Sequence, residues 1–218
     1  MKVLISGSSK GIGRAAALDF LKKGHKVVGI DKLPSSIEDE NYSHLIADVR
    51  DFDKLPVMED VEILFVNAGV QNEDDIEVNL KGAINVTKKY AFQKAIKAVL
   101  FNASASALSG QEFAEYAASK AGLVGYMKNV AIELAKFGAV VNAICLGGVI
   151  TDSNKVVMEN RECWRKIMKA TPLKKWMSLN EVCDWVYFLT VKNKSMSGQA
   201  LLIDNGEMNL NSTFIWPR

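Results

Sequence analysis

Short runs of consecutive apolar residues alternate with amphipathic stretches along the whole chain. The apolar runs predict strands over Lys2–Ser6, Lys26–Ile30, Ser43–Ala47, Glu62–Val66, Ala98–Ala103, Ala139–Cys145 and Gln199–Ile203. Several are unbroken, such as Ile63-Leu64-Phe65-Val66. A strand covered on both faces of a parallel sheet needs no polar alternation, so these runs point to that kind of sheet. Helical spacing predicts helices over Ile12–Lys23, about Asp75–Lys97, Glu112–Phe137, Asn154–Lys169 and Leu179–Val191. Within the third, Leu123, Met127, Val130 and Leu134 form one stripe for the core. Gly24 stands where a glycine ends the first helix. Alternating β and α elements predict an α/β fold, a doubly wound parallel sheet of about seven strands with helices on both faces. No repeat, low-complexity tract or Pro/Gly linker interrupts the pattern, so residues 1–218 read as one domain.

Composition narrows the function classes. Of 218 residues, 49% are hydrophobic and 24% charged, the balance of an ordinary globular protein. Lys+Arg number 27 against 25 Asp+Glu, a formal net charge of +2. That is a poor basis for nucleic-acid binding. Lys22, Lys23, Lys88 and Lys89 read as solvated helix faces with no aromatic platform beside them. No apolar run approaches the roughly 18 residues of a membrane span, and Met1–Ser6 lacks the features of a signal peptide. Cys145, Cys163 and Cys183 are odd in number and lack metal-ligand spacing. They read as reduced thiols of a cytoplasmic protein with no metal site. With only His25 and His44, a histidine-rich metal site or a Ser-His-Asp triad is poorly supplied.

The segment Ser6-Gly7-Ser8-Ser9-Lys10-Gly11-Ile12-Gly13 joins the first strand to the first helix. Strand, glycine turn and helix start together suit a dinucleotide pyrophosphate. Glycines permit close backbone approach, and the helix start offers unpaired N–H groups and a favourable dipole. The spacing is G-x3-G-x-G rather than the general G-x-G-x-x-G, and a plain glycine-rich βα loop is the bland alternative. Asp31, at the end of the second strand, is placed to accept hydrogen bonds from a ribose diol and to repel a 2′-phosphate. It therefore favours NAD over NADP. Lys10 argues mildly the other way, so NADP stays open.

Tyr116-Ala117-Ala118-Ser119-Lys120 lies in a predicted helix, where positions i and i+4 share a face. A cation beside a phenol stabilises phenolate, and a tyrosine tuned downward can exchange a proton with an alcohol or carbonyl. Alone, Tyr-x3-Lys arises often on helix surfaces.

In company these motifs make the chain resemble the short-chain dehydrogenases/reductases, in their compact single-domain subtype. The resemblance runs over nearly the whole chain. Ser6–Gly13 resembles the family's cofactor turn. Ala47-Asp48-Val49 is similar to its adenine-contacting segment, with Asp48 and Val49 in contact, and Asn67-Ala68-Gly69 to its Asn-Ala-Gly signature. Asn79 matches the catalytic asparagine, and Tyr116 and Lys120 the catalytic pair. Gly147-Gly148-Val149-Ile150-Thr151 resembles the turn that packs on the nicotinamide, with Gly147, Val149 and Thr151 as contacts. Gly198-Gln199 and Asp204-Asn205-Gly206 resemble the ends of the last strand.

The catalytic serine is displaced. Ser104 lies 12 residues before Tyr116, one short of the family spacing, and Ser106 lies 10 before. Ser104 is expected to act, with Ser106 as the alternative. Leu146 stands where the family commonly has proline, and the stretch Val70–Val78 before Asn79 is shortened.

The resemblance implies a single dinucleotide-binding domain with its active site built in. It implies NAD(P)-dependent interconversion of a secondary alcohol and a ketone, and a homodimer or homotetramer. In that scheme Tyr116 is general acid–base, Lys120 lowers its pKa, Ser104 holds the substrate oxygen, and Asn79 supports Lys120 through a water. Residues 152–177, with Val156, Met158, Trp164, Met168 and Trp176, read either as a lid over an apolar ketone or alcohol or as a helix face completing the core. Two rivals stand beside this reading. One is a weak or inactive cofactor-sensing or scaffold protein of the same fold. The other is an epimerase or dehydratase of the extended subtype, whose chains are usually much longer.

Overall fold

The apolar runs form a seven-stranded sheet in the computed structural model, which describes residues 1–208 and 210. Its strands are β1 (Lys2–Ser6), β2 (Lys26–Asp31), β3 (Tyr42–Ile46), β4 (Ile63–Val66), β5 (Ala98–Asn102), β6 (Val140–Leu146) and β7 (Ala200–Ile203). They lie in the order β3-β2-β1-β4-β5-β6-β7, and every neighbouring pair is parallel. The helices are α1 (Gly11–Lys22), α2 (Ala83–Tyr90), α3 (Ser106–Ser109), α4 (Ala114–Leu134), α5 (Lys155–Glu159), α6 (Arg161–Ala170) and α7 (Leu179–Tyr187). This is the expected doubly wound architecture.

Side chains alternate between the two sheet faces, so each strand feeds two cores. Val3, Ile5, Ile63, Phe65, Leu100 and Ile144 pack with Phe20 of α1 and Val182 and Val186 of α7. Leu4, Leu64, Val66, Val99, Phe101 and Val141 pack with Val86 and Tyr90 of α2 and the Leu123, Met127, Val130, Leu134 stripe of α4. All seven residues of β6 are buried, which is why its sequence shows no polar alternation. Gly24 has φ +76° just past α1 and donates its N–H to Leu21 O, the expected helix end. No helix among the described residues is long and apolar enough to cross a membrane.

Three helix boundaries differ from expectation. The helix expected over Asp75–Lys97 begins with a wider π turn, Ile76–Gly82, and α2 stops at Tyr90. There Gln93 Nε2 donates to Tyr90 O at 2.7 Å while Gln93 Oε1 accepts from Val61 N at 3.0 Å. The side chain ends the helix and ties it to the loop before β4. The helix expected over Asn154–Lys169 is broken at Asn160, whose Oδ1 accepts from Cys163 N at 3.0 Å as the N-cap of α6. Short helix α3 was not expected at all.

The strand order reverses between β1 and β4. The C-terminal ends of β1, β2, β4, β5 and β6 therefore surround one crevice, the place where open α/β sheets bind ligands.

Candidate active site

The glycine turn leaves no room for side chains. At Gly7, with φ +71°, a Cβ would lie 2.7 Å from Ala68 Cα. At Gly13 it would lie 2.0 Å from Gly7 O. The start of α1 is pressed against the end of β1, and its cap residue Lys10 makes no side-chain capping bond. The first N–H groups of the helix thus remain for an external acceptor. Asp31 holds the turn in place: its Oδ2 accepts from Ser9 N at 3.0 Å and its Oδ1 from Leu33 N at 3.0 Å. Each oxygen keeps a lone pair. Ser9 adds a bond from Oγ to Leu33 O at 2.9 Å. Lys10 is exposed beside the turn and Ile12 half-buried below it.

A cleft runs from this turn to the end of β4, lined by Gly7, Ile30, Asp31, Ala47, Asp48, Val49, Ala68, Gly69 and Val78. Asp48 is gripped by Arg50, whose Nη2 donates to Oδ2 at 2.7 Å, and this guanidinium holds the carboxyl below its usual range. Arg50 Nη1 also reaches Asp74 Oδ2 at 2.9 Å, linking the two rims of the cleft. Asn67 stitches the strand ends together. Its Nδ2 donates to Ser6 O and Gly7 O, both at 3.1 Å, and its Oδ1 accepts from Asn102 Nδ2 at 2.9 Å. A flat, partly apolar group and a diol fit this lining, and a pyrophosphate fits the turn. The fit is that of a dinucleotide.

The second half of the crevice holds the reactive side chains. Lys120 is 4% exposed, and its Nζ donates to Asn102 O at 2.8 Å. It lies 5.6 Å from the centre of the Tyr116 ring. Asn79 is fully buried in the π turn. Its Nδ2 donates to Val70 O at 3.0 Å, Ser119 Oγ at 3.2 Å and Asp75 Oδ1 at 3.3 Å, while its Oδ1 accepts from Val70 N at 2.8 Å. Asn79 thereby fixes the loop that follows Gly69, where any Cβ would lie 3.0 Å from Asn79 Oδ1. Ser104 follows β5 and Ser106 opens α3. Both are buried, with Ser106 Oγ 2.8 Å from Ser104 Oγ. The two serines are partners rather than alternatives in space.

The electrostatics differ from the sequence expectation in one respect. Burial pushes the Tyr116 phenol up to about 12, opposed by the Ser104 hydroxyl and aided by the charges of Glu112 and Asp75. Burial also draws Lys120 down to about 8. Desolvation of both groups outweighs the attraction expected between a cation and a phenolate. Beneath them burial raises the Cys145 thiol to about 11, with Lys120 opposing.

The turn after β6 closes the far side. At Gly147 a Cβ would lie 2.7 Å from Asp204 Cβ, and at Gly148 2.0 Å from the Trp176 ring. Val149 pairs with Met177, and Met177 N donates to Gly148 O at 3.0 Å. Asn154 Nδ2 donates to Val149 O at 2.8 Å, and Thr151 is half-buried at the rim. Residues 152–177 divide into a buried and an unburied part. Trp176 and Met177 are buried in the body of the protein, whereas no residue of α5 or α6 is buried. Trp164 of α6 is half-buried and meets Trp176 edge-on at 5.1 Å.

Every sequence-expected site residue therefore lies along one sheet edge. Arg50, Asp75, Asn102 and Ser119 join them without having been expected. Arg50 had a signal in the Asp-x-Arg spacing. The other three act through contacts between distant elements that spacing does not display.

A family model described as enoyl-(acyl carrier protein) reductase, adh_short_C2, matches residues 64–207. A 3-oxoacyl-[acyl-carrier-protein] reductase of Staphylococcus epidermidis is 27% identical, over 93% of this chain and 97% of its own. The NADH complex of 4-hydroxyisoleucine dehydrogenase superposes with a TM-score of 0.84 at 25% identity, covering 96% of this chain and 99% of the other. ElxO with NADP bound gives 0.85 at 25% identity with the same coverage.

Proposed function

Because the chain belongs to the short-chain dehydrogenase/reductase family, we propose that it interconverts a secondary alcohol and a ketone with NAD, using Tyr116 as general acid–base. The observation that carries this reading is the convergence of Ser104, Tyr116 and Lys120 beside the glycine turn on one sheet edge. When bound, a nicotinamide cofactor supplies the hydride acceptor or donor.

The chain's own residues supply position and proton chemistry. Gly7, Gly11 and Gly13 let the backbone approach a pyrophosphate. Asp48 and Val49 flank the adenine, and Asp31 takes the ribose diol through its remaining lone pairs. Val149 and Thr151 orient the nicotinamide side. Asp31 also carries the preference for NAD, since a carboxylate repels a 2′-phosphate. Among similar proteins one was crystallised with NADH and another with NADP, so this residue rather than the fold decides.

Ser104 donates to the substrate oxygen and steadies charge developing there. Tyr116 takes the alcohol proton, or returns it to a carbonyl. At a pKa of about 12 the phenol is a weak acid, and a cation brought beside it lowers that value. Lys120, with one donor on Asn102 O, keeps others for a ribose hydroxyl. Asn79 supports Lys120 through a water. Within residues 152–177, α5 and α6 form the lid, where Met158, Trp164 and Met168 offer apolar contact to a small ketone or alcohol.

The test is a turnover screen with NAD and NADP over classes of ketones and alcohols, preceded by thermal-shift titration of both cofactors. The reading predicts NADH formation with at least one secondary alcohol and stronger stabilisation by NAD. A chain that binds neither cofactor contradicts it.

A further inference from the structure

Behind the glycine turn, a line of hydrogen bonds ties it to β3, the edge strand of the sheet. Tyr42 and His44 stand two residues apart on β3 and so share a face. Their rings stack with centres 6.0 Å apart. The Tyr42 hydroxyl bridges His44 Nδ1 at 2.9 Å and Ser8 Oγ of the glycine turn at 3.3 Å. His44 Nε2 donates to Leu33 O at 2.8 Å, and Ser9 Oγ donates to the same carbonyl at 2.9 Å. Gly29 leaves the room for this line, since a Cβ there would lie 2.2 Å from both Ser8 Oγ and the Tyr42 hydroxyl. Tyr42, His44 and the Leu33 carbonyl have no part in the function proposed above.

The carbonyl fixes the state of the ring. Leu33 O can only accept, so in the neutral imidazole Nε2 carries the hydrogen and Nδ1 takes the proton of Tyr42. Leu33 is pinned from both ends. Its carbonyl receives His44 and Ser9, while its N–H donates to Asp31 Oδ1 at 3.0 Å. A further tie comes from α1, where Arg14 Nε donates to Ser36 Oγ at 3.1 Å.

We infer that His44 is a positioning residue for cofactor choice: by fixing Leu33 it holds the Asp31 carboxylate in the orientation that meets a ribose diol. The inference rests on the reading of Asp31 as the carrier of the NAD preference. His44 acts through Leu33 and Asp31 and touches no cofactor.

The terminal torsion of an aspartate is broad, so an untethered carboxylate turns easily. Here one oxygen accepts from Ser9 N and the other from Leu33 N, each at 3.0 Å. Held at both oxygens, Asp31 offers its remaining lone pairs in fixed directions, and its ordering cost is met before the cofactor arrives. The same clamp engages the Ser9 hydroxyl on Leu33 O, which withholds that donor from a phosphate beside the turn. Freeing Leu33 removes the donor on Asp31 Oδ1 and loosens the carboxylate. That loss falls on NAD, whose diol bonds to Asp31. It spares NADP, whose 2′-phosphate gains nothing from a carboxylate.

The test measures NAD and NADP affinity by calorimetry in the wild-type chain, His44→Ala, His44→Gln and Ser43→Ala, the last an exposed neighbour on β3 outside the clamp. In His44→Ala the dissociation constant for NAD should rise about fivefold, the range of one lost hydrogen bond, while that for NADP holds. The preference for NAD should fall by the same factor. In the alcohol assay KM for NAD should rise with kcat unchanged. His44→Gln, whose amide nitrogen takes the place of the imidazole Nε2, should restore NAD affinity, and Ser43→Ala should match the wild type. Nitrogen-15 NMR of the wild-type chain at alkaline pH should show His44 as the Nε2–H tautomer, a readout independent of how any variant folds. An equal loss for both cofactors in His44→Ala would mark a merely structural role and overturn the inference. So would an equal loss in Ser43→Ala, no recovery in His44→Gln, or an Nδ1–H tautomer. If the wild-type chain binds neither cofactor, or prefers NADP, the reading of Asp31 fails and the clamp with it. If it prefers NAD and His44→Ala keeps that preference in full, the clamp alone fails.

Discussion

The turn between β1 and α1 and the segment 152–177 both border the crevice, yet one is made of backbone and the other of side chains. In the turn, Gly7 and Gly13 sit where any Cβ would strike main-chain atoms. The position of α1 against β1 thus depends on the absence of side chains there. In 152–177, α5 and α6 contribute no buried residue and are held through Trp164 on Trp176 and through Asn154 on Val149 O. The first region has one geometry available to it. The second can change its side chains, and with them the ligand, without disturbing the sheet. A fold built this way keeps its cofactor site and varies its substrate site.

The sharpest way to break the comparison is a single methyl group. Gly13→Ala places a Cβ 2.0 Å from Gly7 O, so α1 must shift. We expect about 2–3 kcal/mol of destabilisation in urea unfolding and loss of NAD binding by calorimetry. Gly11→Ala meets no atom within 4 Å, and only its φ of +51° opposes the change. It should cost about 1 kcal/mol.

Where 152–177 rejoins the body, Ser178 caps α7. Its Oγ accepts from Glu181 N at 3.3 Å, and Glu181 Oε2 accepts from Ser178 N at 2.9 Å. Ser178→Ala should lower stability by about 1 kcal/mol. Lys175 and the Ser178 N–H and O–H groups hold the Glu181 carboxyl down to about 2. Its folded pKa lies below the unfolded one. Its contribution is therefore complete above the ordinary carboxylate range and is lost as pH falls toward 2. Glu181→Gln should flatten the acid limb of a Tm-against-pH profile. An unchanged limb would show that the box does not anchor this exit.

Trp164→Ala removes the edge-on contact with Trp176 and should cost about 0.5–1.5 kcal/mol. It should raise KM for substrate while NAD affinity holds. The reverse pattern would make α6 part of the cofactor site. Smallest of all, Arg50→Ala opens a half-exposed bridge between Asp48 and Asp74. It should weaken NAD only slightly, and less at high salt.

What was legible in the sequence follows the same division. Continuous apolar runs locate the inner strands, because burial on both faces leaves its mark on consecutive residues of β4 and β6, whereas edge strand β3 carries Ser43 and His44 and is only partly buried. The glycine turn, Asp31 and Tyr116–Lys120 are equally visible, since local spacing carries their geometry. The end of α2 is invisible, because Gln93 stops it by reaching Val61 from 32 residues away. The break at Asn160 had a local signal in an asparagine before a helical turn, and the surrounding helical periodicity masked it. The Ser104–Ser106 contact depends on α3 forming in a loop one residue shorter than the family's spacing, which counting reports only as a displaced serine. The raised phenol of Tyr116 was also hidden. The i, i+4 spacing shows the cation and not the desolvation that outweighs it.

The most direct test of the central claim is Tyr116→Phe, read by kcat in the active alcohol assay and by NAD affinity in calorimetry. Tyr116 is half-buried, and its hydroxyl, the proposed proton carrier, makes no hydrogen bond to the glycine turn among the described residues. We predict a fall in kcat on the order of 10²–10⁴ with NAD affinity and Tm unchanged. Full turnover in Tyr116→Phe would contradict the account.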